Sequence, residues 1–181
     1  MKVTADSQQK ISVYSGCLKI IMQLLMIVVP AGLICIWLFI DKFPDHTIDK
    51  LFGVKDFYIR PLTKTLGVLI TLIPSSIAFL LFNNGYKLFA LYQKGMILVS
   101  ENVNCYRKIG LLLILQTFSN VVTSSLYTIV LTMHNAPGHR SISLGIGSGE
   151  FSSLIGGFFL MIIAWVMEEA QKAKEELELT I

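Results

Sequence analysis

Four long apolar runs alternate with short polar segments along the chain. The runs cover residues 20–40, 66–82, 109–133 and 151–167, and none of them contains Asp, Glu, Lys or Arg. A bilayer core about 30 Å thick takes roughly 20 helical residues, so each run is long enough for one crossing. Their apolar residues do not alternate with polar ones as they do in the strands of a membrane β-barrel. The pattern therefore predicts four transmembrane helices and an all-α fold.

The composition supports the same class. The 181 residues are 54% hydrophobic and 15% charged, whereas soluble domains carry about 25% charged residues. We interpret the whole chain, residues 1–181, as a single membrane domain, an integral membrane four-helix bundle surrounded by the lipid bilayer. The first 16 residues are polar and are expected to be loose. The spans are expected at about 18–40, 64–91, 104–133 and 150–170, with a cytoplasmic acidic tail at 168–181.

The distribution of Lys and Arg predicts an orientation. If four helices cross the membrane, both termini lie on one side, which holds nine of the 15 basic residues against six on the other side. Cytoplasmic loops carry the excess of Lys and Arg, so we expect cytoplasmic termini. The net charge of +3 is small and scattered, which argues against direct nucleic-acid binding.

The polar stretch LYQKGMILVSENVNCYRKIG separates the second and third runs. Gly95 follows a helical pattern, at a place where glycine commonly forms a left-handed cap. Ser100 and Glu101 match a helix N-cap followed by an acid in the first turn. Arg107 and Lys108 fall where basic side chains hold a helix end at the lipid headgroups. Local chemistry explains this stretch as a connector between two helices.

The third run carries a polar stripe. Gln116, Asn120, Thr123 or Ser124, and Tyr127 recur at helical spacing. Such side chains either line a polar route or form hydrogen bonds to neighbouring helices, and the sequence is compatible with both. Acidic and basic residues, which usually mark transport pathways, are absent from all four runs.

Small residues open the fourth run. Gly145, Gly149, Ser153 and Gly157 lie four residues apart, and small residues at that spacing let two helix backbones approach closely. We predict that this row packs a helix, either within the same chain or against a second copy in a homo-oligomer.

The segment between the first two runs has an apolar pattern of its own. Ile48, Leu51, Phe52 and either Tyr58 or Ile59 fall near helical spacing. Two interpretations are open: part of the segment lies along the membrane surface, or it is an ordered loop packed on the end of the bundle.

The tail MEEAQKAKEELELTI continues the last helix with charged residues. Glu168 and Lys172 are four residues apart in the favourable order for a helical ion pair. A thin apolar seam follows the same helix and is formed by Val166, Ala170, Ala173 and Leu177.

No constellation of residues predicts catalysis. His134, His139 and Glu150 share one loop, but their spacing matches no zinc pattern. The three cysteines also lack metal-ligand spacing. We therefore expect no catalytic residue, no metal and no cofactor, and we predict that the protein is not an enzyme.

Two places resemble a known family. One is the pattern formed by Leu91-Tyr92, Gly95, Ser100-Glu101-Asn102-Val103 and Arg107-Lys108-Ile109-Gly110. It resembles a signature of the YoaS-like family, small bacterial membrane proteins with four predicted spans and a domain of unknown function. The ending EELELTI is similar to the acidic Glu-Leu-Thr-Ile ending of that family. The chain departs from the family at MILV after Gly95, where members usually carry an acidic-aromatic segment.

The resemblance implies a multi-pass protein of the bacterial cytoplasmic (inner) membrane with both termini inside. Family members are often encoded beside a small helix-turn-helix regulator, so the resemblance also implies a membrane partner for such a DNA-binding regulator. It supplies no catalytic residues.

We therefore predict a non-enzymatic membrane protein whose cytoplasmic face binds a protein partner. A direct pairing of the basic stretch with the acidic tail, in a purely structural role, is the simpler alternative. A hypothesis from another class is a small oligomeric transporter or channel component that uses the polar face of the third helix. The candidate partner-binding residues are Gly95, Ser100, Glu101, Asn102, Arg107, Lys108, Glu175, Glu176, Leu179 and Ile181.

Overall fold

A computed structural model describes residues 5–54, 57–136, 138–140, 142 and 147–179. Within these ranges the chain forms five α-helices and one short 3-10 turn, and no β-strand. The prediction of an all-α fold is confirmed. In chain order the elements are α1 Ala5–Leu38, the 3-10 turn Ile40–Lys42, α2 Asp45–Phe52, α3 Pro61–Gln93, α4 Ser100–Thr132 and α5 Ser148–Leu179.

Four of these helices, α1, α3, α4 and α5, are long and apolar enough to cross a bilayer. The predicted number of candidate spans is thereby confirmed. Hydropathy marks only the part of a helix that would lie in lipid, so each helix begins ahead of its predicted span. The difference is largest in α1, which begins at Ala5 rather than near residue 18.

The expectation that the first 16 residues are loose is wrong from Ala5 onward. Ser12 Oγ donates a hydrogen bond to the Gln93 carbonyl oxygen at 3.2 Å, and Lys19 Nζ donates to Gln93 Oε1 at 2.7 Å. These contacts attach the N-terminal half of α1 to the end of α3. Tertiary contacts of this kind stabilise a helix whose own sequence is only weakly helical, and hydropathy does not detect them.

Each long helix packs chiefly on its neighbour in the chain, α1 on α3, α3 on α4 and α4 on α5. The backbones of α4 and α5 come very close where Gly110 faces Gly157. A Cβ atom added at either glycine would lie 2.8 Å from the carbonyl oxygen of the other. Facing glycines allow this approach because neither residue has a side chain to separate the two helices.

The best-buried apolar cluster lies at the α2 end of the molecule, which comprises α2 and the last turns of α1 and α4. Trp37, Ile40, Ile48, Val54 and Leu131 each expose 2% or less of their surface. The segment between α1 and α3 therefore includes an ordered cap packed on the helix ends, as one of the two interpretations of its apolar pattern has it.

Three aromatic rings pack together at the edge of this cluster. The centroid of the Trp37 ring lies 5.2 Å from that of Phe52 and 5.1 Å from that of Tyr127, and the latter two are 5.6 Å apart. The indole fits against α3 because Gly67 leaves room for it: a Cβ atom there would lie 2.1 Å from the Trp37 ring.

The outward faces of the long helices are apolar. In α1, Ile20, Leu24, Ile27 and Val28 are between 57% and 63% exposed. Contiguous apolar surface of this extent is unusual on a monomeric water-soluble protein.

Candidate functional site

The connector between α3 and α4 begins with a left-handed glycine. Gly95 has φ 77°, its N–H donates to the Tyr92 carbonyl at 2.9 Å, and the Met96 N–H donates to the Leu91 carbonyl at 3.1 Å. These two bonds form a Schellman motif, which satisfies the last carbonyls of a helix. The predicted cap at Gly95 is confirmed. The Gln8 side chain of α1 covers it, because a Cβ atom on Gly95 would lie 2.9 Å from Gln8 Nε2.

The start of α4 differs from the sequence prediction. Val99, with φ −133° and ψ 152°, occupies the N-cap position and makes no side-chain capping bond. The prediction that Ser100 caps the helix is therefore wrong. The Ser100 hydroxyl instead donates to Glu101 Oε2 at 3.3 Å, and both residues are exposed.

Asn102 holds the connector in place. It is fully buried, and its Nδ2 donates to the carbonyl oxygens of Met96 and Ile97, both at 2.7 Å. The amide thereby satisfies two connector carbonyls that lie outside any helix, which is the usual requirement for buried backbone groups. Its side chain faces the interior rather than the surface.

Arg107 of α4 and Glu168 of α5 form an ion pair across the two helices. Arg107 Nη2 lies 2.7 Å from Glu168 Oε2, and both side chains are about 40% exposed, at 42% and 39%. The pair joins the basic residue Arg107, near the start of α4, to the first residue of the acidic tail. A direct pairing of this kind was the structural alternative raised by the sequence.

The tail continues α5 as a helix through Leu179. Lys172 Nζ lies 2.9 Å from Glu169 Oε1, so this lysine pairs with Glu169 rather than with Glu168. Gln171 donates to Glu175 at 2.8 Å. The apolar seam on this helix is exposed at both of its ends, with Val166 at 63% and Leu177 at 67%.

We call residues 95–108 and 168–179 together the connector surface. Its exposed candidate residues are Ser100, Glu101, Lys108, Glu175 and Glu176. Of the remaining candidates, Asn102 is buried, and Gly95 and Arg107 are half-buried. Leu179 is described only as helical backbone, and Ile181 lies outside the described residues.

The polar stripe of α4 lines a cavity of about 360 Å³ near the α2 end. We call it the polar cavity. The stripe is recognisable from its spacing in the sequence, whereas the start of α5 and the end of α2, which also line the cavity, are not. The described lining residues are Leu33, Leu51, Phe52, Pro74, Gln116, Asn120, Thr123, Ser124, Tyr127 and Glu150.

Most hydroxyls of the stripe form bonds within their own helix. Thr123 donates to the Ser119 carbonyl at 2.8 Å, and Ser124 donates to the Val121 carbonyl at 2.9 Å. Tyr127, by contrast, shares a 2.9 Å hydrogen bond with Thr71 of α3. An interhelical hydrogen bond therefore explains the polar group of Tyr127 in the stripe. The bonds of Thr123 and Ser124 stay within α4 and do not join two helices.

Two amides and one carboxylate complete the polar wall. Gln116 Nε2 donates to Asn120 Oδ1 at 2.9 Å, and Gln116 Oε1 is buried without a hydrogen-bond partner among the described residues. Glu150 Oε2 accepts the Gly147 N–H at 3.0 Å. This last bond is the glutamate half of a capping box, which fixes the carboxylate at the start of α5.

The small-residue row of α5 contributes unevenly to packing. Gly157 lies at the close crossing with Gly110. Gly149 has open space where a Cβ atom would lie, and Ser153 is half-buried. Gly145 falls outside the described residues.

Comparison with known proteins gives one family. A family model described as a protein of unknown function (DUF2975) matches residues 43–181, which includes α2, α3, α4, α5 and the connector. No match was found among curated proteins or solved structures.

Proposed function

The chain belongs to the DUF2975 family of proteins of unknown function, and on that premise we propose that it is a non-enzymatic membrane protein whose connector surface binds a regulatory protein. It crosses the bilayer four times as a helix bundle. The exposed apolar faces of α1, α3, α4 and α5 support membrane insertion, because lipid covers such faces at no cost in hydration.

The same proposal fixes the location of the connector surface. The side with both termini holds nine of the 15 Lys and Arg residues, and such an excess favours the cytoplasm. The resemblance to the YoaS-like family supports a bacterial cytoplasmic membrane. The connector surface then faces the cytoplasm, where a DNA-binding regulator is found.

The observation that carries the proposal is that α4 and α5 are joined by an ion pair and that both helices expose charged side chains at the same end. The Arg107–Glu168 pair holds the two helices together, and exposed groups of both signs flank it, with Glu101 and Lys108 on α4 and Glu175 on α5. Mixed charges at a protein surface give specificity and a fast association rate. This combination suits a folded protein partner better than nucleic acid.

The partner that we propose is the small helix-turn-helix regulator encoded beside genes of this kind. Its binding is tested by co-purification of the tagged membrane protein with that regulator from detergent-solubilised membranes. Lys108→Glu combined with Glu175→Lys and Glu176→Lys should reduce recovery of the regulator at least tenfold. The matched control, Lys42→Glu with Asp45→Lys, changes charge at the α2 end and should leave recovery unchanged.

The ion pair provides a second control, which separates contact with the partner from support of the fold. Arg107→Glu alone should weaken co-purification because it breaks the bond to Glu168. The exchanged pair, Arg107→Glu with Glu168→Arg, should restore it. Undiminished recovery in the triple charge-reversal variant would overturn the role of the connector surface.

A second candidate function is that of a small oligomeric transporter or channel component, and the polar cavity favours it. The stripe of α4 lines this cavity rather than only joining helices. Replacing Gln116 and Asn120 with Leu should then abolish solute flux in liposomes while the protein still inserts and folds. Equal flux in the wild type and in this variant would remove the candidate.

A further inference from the structure

We propose that the polar cavity binds a small ligand through an ammonium group, either a soluble organic cation or the headgroup of a zwitterionic phospholipid. This inference goes beyond the proposed function, since it concerns the opposite end of the molecule from the connector surface. It does not depend on a protein partner.

The charge of the cavity favours a cation. Among the described residues that line it, Glu150 alone carries a formal charge, and neither Lys nor Arg nor His is present. An anion would be repelled by this carboxylate. The Gly147 N–H at the start of α5 donates to Glu150, so this backbone donor is not available to an anion.

The remaining polar groups favour a ligand that donates hydrogen bonds. Gln116 lines the cavity and its Oε1 is buried without a partner among the described residues. A buried acceptor without a donor is unfavourable, because it has lost its hydrogen bond to water and gained none in return. A rotation of the Gln116 amide would bring this oxygen to an ammonium N–H or a hydroxyl group of a ligand, and Asn120 next to it offers a second amide oxygen.

Aromatic rings complete the case for an organic cation. Phe52 and Tyr127 line the cavity with their rings 5.6 Å apart in an edge-to-face arrangement. Trp37 packs on both rings and lines a smaller cavity of about 150 Å³, which shares four lining residues with the polar cavity. Aromatic faces attract alkylammonium groups, and the combination of rings with one carboxylate is typical of sites for such cations.

The size of the cavity limits the ligand. Pockets for small molecules usually measure about 300–1,000 Å³, and about 360 Å³ lies at the lower end of that range. We therefore expect a cation of the size of choline or ethanolamine, and both occur free in solution and as phospholipid headgroups.

Binding is measured on the full-length protein in phosphatidylglycerol nanodiscs. The probe is choline, compared with its uncharged isostere 3,3-dimethylbutan-1-ol. Trp37 fluorescence reports on the site once Trp165, exposed on α5, is replaced by Phe. We expect saturable quenching by choline and at least tenfold weaker binding of the alcohol. All residues that line the cavity are unchanged in this protein. Equal binding of both probes, or the absence of saturation by choline, would overturn the proposal.

A variant at the carboxylate makes the assignment specific. Glu150→Gln keeps an oxygen to accept the Gly147 N–H and removes the charge, so choline binding should weaken at least tenfold while the alcohol is unaffected. Glu101→Gln, at the connector surface, is the matched control and should bind choline as the wild type does. Unchanged choline binding in a folded Glu150→Gln variant, shown by an unaltered thermal transition, would contradict the role of Glu150.

The source of the ammonium group is decided by comparing choline binding in phosphatidylglycerol nanodiscs with and without added phosphatidylethanolamine. If phosphatidylethanolamine in the nanodisc competes with choline, the native ligand is a phospholipid headgroup. If choline binds with the same affinity in both lipids, the ligand is a soluble cation.

Discussion

At the scale of single residues, Gly67 leaves the space that the Trp37 ring occupies at the α2 end. We expect Gly67→Ala to destabilise the protein by about 1–3 kcal/mol, the usual range for overpacking, because the new Cβ atom would lie 2.1 Å from the indole ring. The indole must then shift, which changes its packing on Phe52 and Tyr127. Thermal unfolding in mild detergent and Trp37 fluorescence in a Trp165→Phe background measure both effects.

The control for that substitution is Gly32→Ala. Gly32 also lies within a long helix, but nothing lies within 4 Å of its added Cβ atom. The change should be neutral or stabilising by up to about 1 kcal/mol, the usual advantage of Ala over Gly in a helix. If both variants behave alike, the packing of Trp37 on Gly67 does not contribute to stability.

Asp41 provides a prediction about pH. The hydrogen bond from Lys64, at 2.8 Å, holds the pKa of the Asp41 carboxyl below its usual value of 3.8. A lowered pKa in the folded state means that the pair stabilises the fold above pH 3.8 and that this contribution is lost as the pH falls through the lowered pKa. Carboxyl NMR titration in micelles should show the pKa rising in Lys64→Met, while Lys50→Met leaves it in place. An unaltered titration in Lys64→Met would contradict the pairing.

The two ends of the connector show how far single residues can be predicted. The left-handed cap at Gly95 follows from local sequence, because glycine after a helical pattern has few other roles. The part played by Asn102 does not follow, since it depends on which carbonyls turn inward when α3 and α4 pack. Its burial removes from the accessible surface a residue that the sequence pattern placed among the partner contacts.

At the scale of helices, the close crossing of α4 and α5 depends on two glycines. Gly157→Ala should destabilise the protein by about 1–3 kcal/mol, because its Cβ atom would meet the Gly110 carbonyl oxygen, a backbone atom that cannot move aside alone. The double variant Gly110→Ala with Gly157→Ala should lose less free energy of unfolding than the sum of the two single variants, because one separation of the helices relieves both contacts. Unfolding in detergent measures the three variants.

Gly149→Ala is the matched control in the same helix. Nothing lies within 4 Å of a Cβ atom there, so it should be neutral or slightly stabilising. Equal losses at Gly149 and Gly157 would show that the measured effect is general to glycines of α5 and not due to the crossing.

Helices differ in how well the sequence predicts them, for a physical reason. The cores of α1, α3, α4 and α5 are visible in hydropathy, because long apolar runs have few other stable forms. The first turns of α1 and the cap formed by α2 are not visible in this way. Their positions depend on contacts distant in sequence, such as Ser12 with Gln93 and Ile48 within the Trp37 cluster.

At the scale of the whole molecule, α4 connects the two candidate sites. Its first turns belong to the connector surface, and the residues from Gln116 to Tyr127 line the polar cavity. Lys108 and Asn120 are separated by about 18 Å along the helix at roughly 1.5 Å per residue. Substitutions at one site therefore do not touch the other, so the tests of the two proposals are independent.

The orientation of the whole molecule gives the last prediction. In a variant whose three cysteines are replaced by Ser, single cysteines at Gln9 and Glu176 should react with an impermeant maleimide only after spheroplasts are permeabilised. Single cysteines at Asp45 and His139 should react in intact spheroplasts, because four crossings place them on the other side. Opposite labelling of Gln9 and Glu176 would contradict an even number of crossings. The reverse pattern at all four positions would keep four crossings and show that the excess of nine basic residues against six does not set the orientation. It would also turn the connector surface away from any cytoplasmic regulator.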